Sequence, residues 1–105
     1  MFAFLTRLRA KPGKRAALIA LNLTMQEATA AEEGVPVYIF HTAEQNPDDF
    51  YYYDLYETEE AYTAHCSTDA FRTMLSSLGE LAEVTEMTKL IPFGPIKSKP
   101  TETAM

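Results

Sequence analysis

Phe50-Tyr-Tyr-Tyr-Asp-Leu-Tyr-Glu-Thr-Glu-Glu-Ala-Tyr-Thr-Ala-His65 is a period-two strand that runs into a short helix ending on one of the chain's two histidines. On the strand, Phe50, Tyr52, Asp54 and Tyr56 share one face, and Tyr51, Tyr53 and Leu55 share the other. Both faces are rich in aromatics, whereas a small sheet with one core and one wetted face needs only one such face. The pattern predicts that one face meets the domain's own helices and the other meets a second subunit. Asp54 is the exception among these rings, because a carboxylate in apolar surroundings needs a partner. His65 is the nearest candidate in sequence.

Working outward, Phe2 to Arg9 alternates, with Phe2, Phe4, Thr6 and Leu8 opposed to Ala3, Leu5, Arg7 and Arg9, and reads as a strand. Lys11-Pro-Gly-Lys14 breaks it. The spacing then predicts a helix over about 14–32 with a stripe of Leu18, Leu21, Met25 and Ala28, ended by Gly34. Val35 to Thr42 reads as a second strand, with Pro36 marking an edge position. A polar loop from Glu44 to Asp49 leads to the aromatic strand.

Thr58 is placed to cap a short helix whose first turn carries Glu59 and Glu60. Ser67 or Thr68 caps the next helix, with Phe71, Met74, Leu75 and Leu78 as its stripe and Gly79 near its end. Val84 to Phe93 gives the last strand. Strand–helix–strand–strand–helix–strand is the split βαβ order of ferredoxin-like α+β domains, with a four-stranded antiparallel sheet and both helices on one face. The domain is expected over 1–94, followed by a mobile tail over 95–105.

A chain of 105 residues is one domain, burying roughly 60–65% of its unfolded surface, so dimerisation would supplement its stability. Fifteen acidic against nine basic residues give a net charge of −6, which argues against nucleic acid or an anionic membrane as partner. Arg7, Arg9, Lys11, Lys14 and Arg15 form the densest basic group, at a strand edge leading into a helix start. The single cysteine, Cys66, precludes an intrachain disulfide and fits a reducing compartment. No apolar run approaches a membrane span and the first residues read as a strand, so a cytoplasmic location is expected.

The residues also resemble the antibiotic biosynthesis monooxygenase family, small dimeric α/β-barrel proteins. Its members show a glycine, a tyrosine-bearing strand, an Asp-Pro-like loop, an aromatic strand reading Phe-x-x-Tyr-Glu-x-Trp, and a histidine nine residues after the tryptophan. Gly34, Tyr38, Asn46-Pro47 and Phe50 take the first places. Tyr53-Asp54-Leu55-Tyr56 stands for Tyr-Glu-x-Trp, His65 lies nine residues beyond Tyr56, and Phe71 fits the following helix. The likeness covers roughly 2–93. Two departures bear on substrate: Asp54 reaches about 1.5 Å less than glutamate, and Tyr56 brings a hydroxyl where tryptophan has none.

The resemblance implies oxygenation of a small phenolic, quinol or polyketide-like substrate by molecular oxygen without flavin, haem or metal, in a homodimer. Under it, His65 is base or anion donor, Asp54 its orienter, and Tyr56 a stacking and donating group. Tyr38, Phe40, Phe50, Tyr52, Phe71 and Met74 would line the substrate pocket. Each has a structural reading beside this one. His65 could cap its helix, Asp54 could pair with Arg72, and any one of the aromatics could be ordinary core. His41 is expected to be solvated. Cys66 points away from His65 on a helix, so no thiol–imidazole pair is expected. No metal-ligand spacing, phosphate loop or dinucleotide fingerprint occurs. Two other functions stay open: a proton-transfer isomerase of a small carbonyl compound, and a non-catalytic dimeric binding or stress-response domain.

Overall fold

The computed structural model describes residues 1–94; the tail expected over 95–105 lies outside them. The elements run β1 (Phe2–Ala10), α1 (Arg15–Thr29), β2 (Val37–Thr42), β3 (Asp49–Tyr56), α2 (Glu59–Cys66), α3 (Asp69–Leu81) and β4 (Ala82–Leu90). The sheet order is β2-β3-β1-β4, with every pair antiparallel. This is the ferredoxin-like α+β fold.

Between β1 and α1, Pro12 and Gly13 make a tight turn closed by Lys14 N–H donating to the Lys11 carbonyl at 2.9 Å. Gly13 has φ +76°, the left-handed conformation that favours glycine at this place. The buried face of α1 differs from the expected stripe. It is Leu18, Asn22, Met25 and Thr29, at helical spacing, while Ala28 is exposed and Leu21 turns toward α3. Hydrophobicity alone misplaces this face because each of its polar members makes a side-chain hydrogen bond inside, although Asn22 Nδ2 is buried without a partner among the described residues. Thr29 Oγ1 donates to the Met25 carbonyl at 2.7 Å, and Asn22 Oδ1 accepts from the Tyr52 hydroxyl at 2.5 Å.

Under α1 the core gathers Leu8, Ala10, Leu18, Phe50 and Ala82, flanked by Ile19, Leu78 and Leu81. Each large side chain removed from water there contributes about 1.5–3 kcal/mol. Thr58 and Thr68 cap α2 and α3, accepting from Ala61 N–H and Phe71 N–H. Gly79 lies inside α3 rather than ending it, and β4 starts at Ala82 with no loop between. β4 stops at Leu90, short of the expected Phe93, since Pro92 has no N–H to give the ladder. A register shift opposite Arg7 and Leu8 leaves Thr85 unpaired, its hydroxyl donating to the Arg7 carbonyl at 3.1 Å.

On the sheet face away from the helices, Asp49 binds two arginines: Arg7 Nη2 at 3.0 Å and Arg9 Nε at 2.8 Å. Both lie on β1, a central strand and not an edge. Their hydrogen bonds, Arg9's first, hold the Asp49 carboxyl below the usual carboxylate range. Tyr51 and Tyr53 are part-exposed on this face and Ile39 is 43% exposed. Leu55, expected to be open to a second subunit, is instead 1% exposed, set between Ala3 and Val37 of the flanking strands.

Gly34 does not cap α1, which ends at Thr29 with Ala30 as its C-cap residue, and its φ is not positive. Its role is clearance: a Cβ there would sit 2.5 Å from the Ala61 Cβ of α2. Gly34→Ala is therefore expected to destabilise by about 1–3 kcal/mol through overpacking, lowering Tm by about 4–8 °C per kcal/mol. A calorimetric Tm equal to or above the parent's would show that the contact yields without cost.

Candidate functional site

A cavity of about 170 Å³ lies between the helix-side face of the sheet and helices α2 and α3. The alternation of β3 sends Tyr52, Asp54 and Tyr56 into it, and β2 adds Tyr38 and Phe40. From the helices come His65, Phe71 and Met74. Eight of the nine residues singled out in the sequence thus meet here. Phe50 does not. It sits four residues before Asp54 on β3, about 13 Å away at strand rise, and is buried in the core beside Leu18.

His65, in the last turn of α2, is 1% exposed. Its ring is packed among Tyr38, Tyr56 and Phe71, with centroid distances of 5.1, 5.5 and 5.4 Å. Its Nδ1 is 2.9 Å from Oε1 of Glu32, just beyond α1. The expected Asp54 partnership is therefore corrected: Glu32 holds the imidazole. Asp54 is occupied on its own strand, where Oδ2 accepts from the Tyr56 hydroxyl at 2.5 Å. Arg72 does not pair with Asp54 either; it stands 3.9 Å from Asp69 on the exposed side of α3.

With Nδ1–H donated to Glu32, Nε2 carries the lone pair and can take a proton. The carboxylate opposite Nδ1 stabilises the imidazolium that results. Burial pushes the Asp54 carboxyl above its ordinary range, against the opposing pull of the Tyr56 hydroxyl and His65. Burial also raises Tyr56, helped by the Asp54 charge, and raises Tyr38. Tyr52 is pushed up to about 12 by burial, which outweighs its bond to Asn22. These phenols are neutral donors at working pH. Burial likewise raises the Cys66 thiol, which keeps it protonated.

The site also has contributors that the sequence pattern does not single out, among them Phe4, Tyr62 and Glu32. Phe4 and Tyr62 reach the cavity and pack against each other at 5.2 Å. Both had a signal: Phe4 shares a strand face with Thr6 and Leu8, and Tyr62 precedes His65 by three positions on one helix face. Glu32 had none, being one acidic residue among several at a helix end. Among the described residues no three His, Cys, Asp or Glu side chains are grouped as a metal site would need.

A sequence profile of the family described as antibiotic biosynthesis monooxygenase matches residues 1–76. The chain belongs to the antibiotic biosynthesis monooxygenase family. The match runs from β1 into α3 and includes every β2, β3 and α2 residue of the cavity. No curated protein matches the chain. Among solved structures, PA3566 from Pseudomonas aeruginosa superposes with a TM-score of 0.82 at 20% identity, over 89% of this chain and 94% of its own. A candidate antibiotic biosynthesis monooxygenase from Deinococcus radiodurans gives 0.80 at 18% identity, over 95% and 100%. Rv0793 from Mycobacterium tuberculosis gives 0.77 at 24% identity, over 91% and 98%. At such identities these likenesses establish the fold alone.

The raised Asp54 carboxyl has a consequence for stability. From an ordinary value of 3.8, its folded-state titration lies higher, so the folded protein binds the proton more tightly. That contribution is full below pH 3.8 and is lost as pH rises through the folded value. In Asp54→Asn the amide oxygen still accepts from Tyr56 and no charge is buried. The Tm advantage of Asp54→Asn over the parent should accordingly be larger at pH 7 than at pH 4, measured by thermal melts across that range. An advantage that shrinks with rising pH would refute the burial argument.

Proposed function

We propose that the protein is a cofactor-independent monooxygenase that uses molecular oxygen on a small phenolic or enolic substrate. The observation that carries the reading is His65, held through Nδ1 by Glu32 in an aromatic cavity, with its second nitrogen left to accept a proton. Membership of the antibiotic biosynthesis monooxygenase family supports the oxygenase chemistry.

The substrate hydroxyl gives its proton to His65 Nε2, and the imidazolium is stabilised by Glu32. The electron-rich anion passes one electron to oxygen, and the two radicals combine into a peroxide on the ring. Loss of water from that peroxide leaves one oxygen atom on the substrate as a quinone carbonyl and releases the other as water. The substrate supplies all four electrons. Tyr38, Tyr56 and Phe71 hold the ring, and Asp54 accepts from a second substrate group. Apolar walls exclude water from the reacting anion.

A second reading is favoured by Asp54. A carboxyl raised by burial, facing the same cavity as His65, suits two-base proton transfer in an isomerase of a small carbonyl compound. Oxygen uptake separates the two. Hydroquinones and enols supplied without added cofactor should be consumed with one oxygen per substrate. Conversion without oxygen uptake would favour the isomerase, and conversion of none of them would leave a binding domain. His65→Ala is expected to lower turnover about 10²–10⁴-fold with the fold intact. Glu32→Gln, which removes only the support of the imidazolium, should cost less. Full activity in His65→Ala would move the base elsewhere.

We also propose that the protein works as a homodimer in the reducing cytoplasm. Tyr51, Tyr53 and Ile39 leave apolar surface on the sheet face opposite the helices, and Cys66 needs no disulfide partner. Among the described residues no helix is long and apolar enough to cross a membrane. Light scattering at micromolar concentration should give twice the 11.8 kDa chain mass, and Tyr53→Asp should shift the protein toward monomer. A parent protein that runs as a monomer would reject the dimer.

A further inference from the structure

His65 is sealed into the cavity wall, and the carboxylate on its Nδ1 opens elsewhere. The imidazole side chain is 1% exposed, whereas that of Glu32 is 22% exposed. Glu32 lines a separate surface depression of about 220 Å³, together with Glu33, Gly34, Ala61 and Ala64. The small side chains of Ala61 and Ala64 on α2, and the lack of one at Gly34, leave this depression open. A water occupies about 30 Å³ in the liquid, so the depression has room for several. Glu33 puts a second carboxylate on its wall.

The main chain holds both partners in place. Glu32 N–H donates to the Thr29 carbonyl at 2.9 Å, and the Glu32 carbonyl accepts from Val35 N–H at 3.2 Å. The Thr68 hydroxyl donates to the His65 carbonyl at 3.0 Å and fixes the end of α2. The 2.9 Å contact between Nδ1 and Oε1 therefore joins two compartments, the cavity that His65 lines and the depression that Glu32 lines. In a buried triad the third carboxylate only orients and stabilises the imidazolium, and it does not itself become protonated. Glu32 is open to water, so a proton placed on it can leave.

From this geometry we infer that Glu32 is a proton carrier between His65 and solvent, working through the depression beside α2. The inference rests on His65 being the base in the reading above, and it adds the route by which that base exchanges its proton while a bound molecule covers Nε2. As Nε2 takes a proton, the Nδ1–H bond breaks and its proton passes to Oε1 of Glu32. The carboxylate forms again when it gives that proton to water in the depression. The reverse sequence returns a proton to Nδ1 as Nε2 releases its own to the departing oxygen, so none is gained or lost over a turnover. A carboxylic acid is a stronger acid than an imidazolium, which makes protonated Glu32 a short-lived carrier. Glu32 touches no reacting atom and acts through His65.

Proton exchange at the His65 ring, followed by nitrogen-15 NMR at about pH 6 where an imidazolium forms readily, tests this without substrate or oxygen. His65→Ala separates the signals of this ring from those of His41. In Glu32→Gln the amide oxygen still accepts from Nδ1–H but takes no proton. The Nδ1–H form should be kept, and exchange of that hydrogen with water should fall by at least about 10-fold. In Glu32→Ala, sodium formate, small enough for the depression, should restore exchange saturably, and sodium chloride at equal ionic strength should not. Exchange in Glu32→Gln as fast as in the parent, with the Nδ1–H form kept, would overturn the inference and leave a pair that only holds the ring. If Glu32→Gln does not fold, or moves the ring hydrogen to Nε2, the formate measurement decides, and failure of rescue overturns the inference. Slowed exchange in a protein that consumes no oxygen with hydroquinones or enols would sink the monooxygenase reading and leave the proton route standing. Oxygen consumption with exchange indifferent to Glu32 would do the reverse.

Discussion

The pairing of β1 with β3 sets everything at the site, because it places Phe4 opposite Asp54, Thr6 opposite Tyr52 and Phe2 opposite Tyr56. A slip of one residue would send Asp54 and Tyr56 to the far face and bring Leu55 into the cavity. Several features oppose that slip. Leu8 and Phe50, also paired, are sealed in the core under Leu18. At the same end, Asp49 is tied to Arg9 and Arg7 on the opposite face. Apolar burial on one side and ion pairing on the other thus fix one register, and the cavity follows from it.

The two carboxylates of β3 show how far environment decides chemistry. Asp49 and Asp54 belong to one strand and point to opposite faces. Asp49 meets two guanidinium groups and is held in its charged form. Asp54 meets rings and one hydroxyl, so burial disfavours its charge. The first is a structural clamp. The second is a carboxyl whose charged form burial disfavours, and it shares a cavity with the imidazole of His65.

The Glu32–His65 contact depends in turn on packing that has no chemistry in it. Residues 32 and 65 come together because α2 lies close against the segment between α1 and β2, where Gly34 leaves room for Ala61. The Gly34 carbonyl also accepts from Glu57 N–H at 2.9 Å, which ties the same segment to the end of β3. A glycine that fits the family pattern is therefore used here for clearance, and the positioning of the imidazole rests on it.

The fold was legible in the sequence because strand alternation, helix caps and turn residues are local signals. Phe50 to Tyr56, Thr58, Thr68 and Pro12-Gly13 each declare their conformation within a few residues. The cavity wall was legible for the same reason: residues of one parity on β3 must share a face, and His65 closes the helix that follows. What the sequence could not contain was the choice of partner. Asp54 and His65 are near in sequence, yet the imidazole is bound by Glu32, 33 positions away, and Asp54 by Tyr56. The buried face of α1 likewise includes Asn22, which hydrophobicity places outside and a hydrogen bond from Tyr52 places inside. Phe50 shares the cavity's face of β3, and only its distance along the strand keeps it in the core. Parity and caps are properties of neighbours in the chain. Pairing between polar groups is decided by which elements dock, and that depends on clearances such as Gly34 that carry no local signal of their purpose.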